Sequence, residues 1–145
     1  MKVFYVTVMS RPKARAWSYE PHDFESIVIS ITDVGSNPNN FNRDKANGIV
    51  AVLPLQFDDV NRGGVNCITK EDANKITDFV NCWMGKFEHI VVHCEAGKSR
   101  SAGVAAAILK YYTGNDAQIY DSPRYTPNST CYSMVLESFY ENENK

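Results

Sequence analysis

The stretch Glu88-His89-Ile90-Val91-Val92-His93-Cys94-Glu95-Ala96-Gly97-Lys98-Ser99-Arg100-Ser101 decides the fold of this 145-residue chain. An apolar run, a short polar loop and a helix-forming run follow one another within it. Ile90-Val91-Val92 reads as a buried strand, and the Ala-rich segment from Ser99 to Tyr112 reads as a helix. The loop between them opens onto a helix N-terminus, where unpaired backbone N–H groups and the positive end of the helix dipole converge. Such a cradle of amides, here from Glu95, Ala96, Gly97, Lys98, Ser99 and Arg100, suits a phosphate dianion. It suits a thiolate equally well, so the position favours ionisation of Cys94, which can then attack phosphorus. Arg100 stands at the other end of the loop, and its planar fork can hold two non-bridging phosphate oxygens in a way that lysine cannot.

Working outward, Val3 to Met9, Ile27 to Thr32 and Ile49 to Leu55 are rich in β-branched residues and read as three more strands. Ser10 to Glu25 is polar and carries Pro12 and Pro21, which predicts a loop with at most one helical turn. Gly35 to Gly48, rich in Asn and Pro, predicts a connection with a short helix from Arg43. Thr69-Lys70-Glu71-Asp72 resembles a capping box with Asp in the place of Glu, and Ala73, Ile76, Val80 and Trp83 follow at helical spacing up to Gly85. The run from Gly103 to Leu109 is apolar on every side, so the helix after the loop is expected to be the buried central one, closed by Gly114. Asn128 is expected to cap a last helix reaching about Tyr140, with Glu141 to Lys145 a polar tail. Strands alternating with helices predict an α/β fold with a central, mostly parallel sheet of about four to five strands, as one domain over residues 1–145. In such folds ligands sit at the carboxyl ends of strands, where Cys94 falls.

A formal net charge of −2 leaves no global basic field for nucleic acid or an anionic membrane surface, so neither is an expected partner. No apolar run approaches a membrane span. The start, Met1-Lys2-Val3-Phe4, runs into a strand-like segment without a cleavage site, which predicts a cytoplasmic protein. The four cysteines, Cys67, Cys82, Cys94 and Cys131, show no Cys-x-x-Cys pair and no partnering His pair, so no metal or other cofactor is indicated.

The pattern His-Cys-x-x-Gly-x-x-Arg-Ser, filled here by His93, Cys94, Gly97, Arg100 and Ser101, resembles the signature loop of the cysteine-dependent protein tyrosine phosphatases, including the dual-specificity branch. The resemblance spans about Ile27 to Leu136, densely at the loop and loosely elsewhere, and implies a tyrosine-phosphatase-like α/β fold. It implies a phosphatase that hydrolyses phosphomonoesters, on phosphorylated proteins or small substrates, through a phosphocysteine. It also implies a general acid on a loop a few dozen residues before the cysteine. Leu53-Pro54-Leu55-Gln56-Phe57-Asp58-Asp59-Val60 meets that description; Asp59 fits the acid position and Asp58 is the alternative. Gly63-Gly64 downstream would let that segment move as a lid, or form only a turn.

Ser101 is placed to donate to the Cys94 sulfur. His93 is placed to orient the loop and, by resemblance, to favour the thiolate. Gly97 lets an N–H turn inward where a side chain would crowd the phosphate, and Lys98 adds charge at the mouth that Glu95 partly subtracts. The acid upstream of the loop favours the dual-specificity arrangement over that of the low-molecular-weight enzymes. Glu95 departs from the doubly basic loop of phosphatases that act on phospholipid headgroups. Two other readings compete. One is a pseudophosphatase that binds phosphorylated partners without turnover, and the other is a sulfur-transfer enzyme.

Overall fold

The computed structural model describes residues 3–44 and 47–143. Among these, β1 (Tyr5–Met9), β2 (Ser26–Thr32), β3 (Ile49–Gln56) and β4 (His89–His93) form one sheet in the order β1-β4-β2-β3, with every pairing parallel. The two central strands, β4 and β2, are buried along their whole length, as expected of a parallel sheet covered on both faces. Pro54 sits in β3, an edge strand, where the missing N–H breaks no central ladder.

Alternation along the strands sends side chains to two different layers. Ile27, Ile29 and Ile31 of β2 and Ile90 and Val92 of β4 share a core with α2 (Lys70–Trp83), α3 (Arg100–Thr113) and α5 (Ser129–Asn142). Val28 and Val91 point the other way, to Ala14 and Trp17 of α1 (Arg11–Ser18). Ile108 and Phe139 are fully buried in the larger core, and each such side chain contributes roughly 1.5–3 kcal/mol through removal from water. Gly103 lets α3 lie close against the start of α5: a Cβ there would lie 2.5 Å from the Asn128 carbonyl oxygen.

The helix α1 corrects the expectation of a loop from Ser10 to Glu25. Ser10 caps it by accepting from the Lys13 N–H, and Pro12 lies in its first turn, where its missing donor would be unpaired in any case. Pro12 is therefore a start signal rather than a breaker, and Trp17 anchors the helix on the sheet. A four-residue helix, α4 (Ala117–Tyr120), was likewise not anticipated. The short helix expected from Arg43 does not form at Arg43 or Asp44. Lys45 and Ala46 lie outside the described residues, and the Asn47 N–H donates to the Asp44 carbonyl. Elsewhere the reading agrees to within a few residues. The Thr69–Asp72 capping box forms in both directions, Gly114 ends α3 in the left-handed conformation, and Asn128 caps α5. That last helix runs on through Asn142, into the segment expected to be tail. Met1, Lys2, Asn144 and Lys145 lie outside the described residues.

Candidate active site

All four strands of a parallel sheet end on one side, so the segments after β1, β2, β3 and β4 meet there. Cys94 follows β4 directly and is buried, with Sγ 3.0 Å from the Ser101 hydroxyl on the first turn of α3. Ser99 is the N-cap residue of α3, yet its side chain makes no capping bond. Its hydroxyl donates instead to Asp59 Oδ1 at 2.7 Å. A helix start forgoes about 1 kcal/mol of capping in this way, and the loop gains a link to the segment after β3.

Arg100 is 5% exposed although it carries a permanent charge. Its Nη1 pairs with Asp33 Oδ1 at 2.7 Å and donates to the Phe57 carbonyl at 2.7 Å. Those two contacts come from the residues that follow β2 and β3. Nε is buried and has no partner among the described residues. A guanidinium held at one end and left unsatisfied at Nε is ready for an anion, because an unpaired buried donor costs about 1–3 kcal/mol. No motif in the sequence marks Asp33. Its signal was available, since it stands at the carboxyl end of a buried central strand.

The two neighbouring aspartates are used differently. Asp58 accepts from the Val34 N–H at 3.0 Å and from Asn66 Nδ2 at 3.1 Å. These donors, the Val34 N–H first, lower its pKa, with a smaller contribution from Arg100. Asp58 thus braces the loop against the segment after β2. Asp59 faces the signature loop: Oδ1 accepts from Ser99 and, at 2.9 Å, from Asn128 Nδ2. The sequence pattern accounts for Asn128 only as a helix cap. It does cap α5 through Oδ1, and its Nδ2 also donates to the Val60 carbonyl at 3.1 Å. Gly63 and Gly64 form part of a tight turn, with the Gly64 N–H bonded to the Asn61 carbonyl.

His93 lies under the loop, with Nε2 2.6 Å from the Ser30 hydroxyl and Nδ1 3.2 Å from the Cys94 carbonyl oxygen. Burial lowers its pKa, so at neutral pH the ring is neutral and acts through its hydrogen bonds rather than through charge. Gly97 adopts φ +71° and packs on the backbone where β1 ends. A Cβ there would lie 2.5 Å from the Ser10 nitrogen. The crowding that excludes a side chain therefore comes from Met9 and Ser10 as well as from any anion in the cradle. Glu95 is paired with Arg11 at 3.1 Å, while Ala96 and Lys98 are exposed. All four cysteines are free, and burial pushes the Cys131 thiol up, away from ionisation.

Several solved structures share this architecture. The human tyrosine phosphatase-like serine/threonine/tyrosine-interacting protein superposes with a TM-score of 0.65 at 16% identity, over 96% of this chain and 92% of its own. Human DUSP28 gives 0.64 at 16% identity, over 96% and 94%. PTPMT1 in complex with PI(5)P gives 0.56 at 18% identity, over 94% and 91%. The chain has the fold of these dual-specificity and tyrosine phosphatase-like structures. The Init_tRNA_PT family, described as the Rit1 DUSP-like domain, matches residues 67–133. That segment holds the signature loop but not Asp59. No curated protein matches the chain in sequence. Among the described residues no helix is long and apolar enough to cross a membrane.

Proposed function

We propose that the protein is a metal-independent phosphatase that hydrolyses phosphomonoesters of the phosphotyrosine or dual-specificity type. The observation that carries this reading is the buried Arg100, unpartnered at Nε, on the same seven-residue turn as Cys94. The Cys94 thiolate attacks phosphorus, the S–P bond forms and the P–O bond to the leaving group breaks. Asp59 gives its proton to the departing oxygen. Asp59 then takes a proton from water, the water oxygen attacks phosphorus, and the S–P bond breaks to release phosphate and the thiolate. Ser101 donates to that sulfur as it leaves, and Arg100 and the loop amides from Glu95 to Arg100 bind the equatorial oxygens throughout. Asp59 is favoured over Asp58 as the acid because it contacts the loop through Ser99, whereas both oxygens of Asp58 hold neighbouring chain.

A second reading, binding of phosphorylated partners without turnover, is favoured by the similarity to a protein named for its interactions. Retention of Cys94 beside Ser101, together with an oriented Asp59, argues for chemistry. Phosphate release from an aryl phosphate, with Cys94→Ser as control, tests the choice. Release that Cys94→Ser abolishes and EDTA leaves intact is expected. Binding of phosphopeptide without release would establish the second reading, and thiocyanate formation from thiosulfate and cyanide in place of phosphate release would establish sulfur transfer.

A further inference from the structure

Beside the signature loop, on its Ala96–Lys98 arc, lies an open polar cavity of about 420 Å³. This is within the range of small-molecule sites, roughly 300–1,000 Å³. Lys13 of α1, Lys98 of the loop and Arg124 of the segment before α5 bring three cations to its wall, and Tyr125 lines it as well. None of the three cations has a carboxylate within ion-pairing distance among the described residues, and no carboxylate lines the cavity. Glu95, the acidic residue of the loop, is turned onto Arg11 and does not cancel them. The walls are tied to the loop by backbone bonds: the Thr126 N–H donates to the Lys98 carbonyl and the Arg11 N–H to the Glu95 carbonyl. The backbone segments that carry Lys13 and Arg124 are thereby held beside the loop that carries Lys98. A chain of net charge −2 that gathers three unpaired cations around one hollow concentrates its positive field there.

We propose that this cavity is a second anion subsite, and that the preferred ligand is a phosphorylated sugar or nucleoside whose first phosphate lies over Cys94 and whose second phosphate is held by Lys13, Lys98 and Arg124. The proposal rests on the phosphatase reading for the first phosphate only. The cavity is larger than a phosphate needs, and Tyr125 offers a ring face to the sugar or base between the two charges.

Two pairs of compounds separate the sources of the second phosphate: fructose 1,6-bisphosphate against fructose 6-phosphate, and adenosine 3′,5′-bisphosphate against adenosine 5′-monophosphate. In at least one pair kcat/KM for the bisphosphate is expected to exceed that for the monophosphate tenfold or more. The double variant K13Q/R124Q should bring that ratio down at least fivefold, through KM, while K13R/R124K restores it. Both positions are exposed, and a thermal melt confirms folding. Parity in both pairs, or a preference that survives K13Q/R124Q, would overturn the subsite. The same compounds titrated calorimetrically into Cys94→Ser read the subsite without turnover, alone and combined with K13Q/R124Q. Bisphosphate binding that the double variant weakens, in a protein that releases no phosphate, would overturn the phosphatase reading and leave the subsite standing.

Discussion

His89 and His93 stand at the two ends of β4, and each faces a serine of β2 in register, Ser26 and Ser30. Both rings are buried, and burial lowers both pKa values, that of His89 to about 4. Their surroundings differ. His89 bonds the Thr7 hydroxyl at 2.8 Å and packs against the rings of Trp17 and Phe24. His93 supports the Cys94 carbonyl. The same residue on the same strand closes a core at the amino end and props the Cys94 loop at the carboxyl end. The difference comes from the connections: in a parallel sheet the turns that lead out of the strands gather at the carboxyl end, and there the chain places Asp33, Phe57, Asp59, Cys94 and Arg100.

If that division holds, changes at the carboxyl end should remove chemistry at little cost in stability, and changes at the amino end should do the reverse. The largest effect is expected from Cys94→Ser, which should lower phosphate release to background while the melting temperature stays near that of the wild type. In the wild type, iodoacetate near pH 6 should modify Cys94 ahead of the other three cysteines, and vanadate should protect it. A Cys94→Ser protein that kept turnover would end the comparison at once.

Arg100→Lys keeps a positive charge beside Asp33 but loses the fork. It should reduce kcat by about 10²–10³-fold, the range for loss of a transition-state donor, with little change in the urea midpoint. Retention of most of the turnover would assign Arg100 to structure.

Asp59→Asn is expected to cost about 10²-fold or more toward phosphotyrosine, much less toward esters with good leaving groups, and to flatten the basic limb of the pH profile. Asp58→Asn should leave that leaving-group dependence intact and loosen the loop, read as faster hydrogen exchange at Val34 and Asn66. Because the Asp58 pKa is lowered by folding, its bracing is present above the ordinary carboxylate pKa and fades as pH falls through the folded value. The wild-type loop should therefore loosen in acid, and the Asp58→Asn loop should not change further. The reverse pattern would exchange the two roles.

The amino end supplies the smallest effect. Folding lowers the pKa of His89 from 6.5 to about 4, so the unfolded chain binds the proton more readily. Stability is then full above about pH 6.5 and declines as pH falls toward 4, by roughly 2–3 kcal/mol. His93 acts in the same direction. His89→Gln should lower stability at pH 7 and flatten the decline between pH 6.5 and 4, leaving kcat unchanged. A decline of unaltered slope would remove His89 as its source.

The sequence alone determined whatever is written within a short span. The Ile90–Val92 run, the loop to Ser101, the Thr69–Asp72 box and the Asn128 cap depend on neighbours a few residues apart, so pattern and propensity were sufficient to read them. The helix α1, within the Ser10 to Glu25 segment expected to be a loop, is not legible for the opposite reason. Pro12 is compatible with a loop or with a first helical turn, and the choice fell to the burial of Trp17 against β2 and β4, residues distant in the chain. The site divides in the same way. Cys94, Arg100 and Ser101 stand out as candidates because one loop carries them, and Asp58-Asp59 can be located from the same pattern, with Asp59 placed first only by resemblance. Only the tertiary structure decided that Asp59 meets Ser99 and Asn128, that Asp58 braces Val34 and Asn66, and that Asp33 holds Arg100. Those contacts join segments that follow different strands, and their partners are fixed by the order β1-β4-β2-β3, which no local spacing encodes.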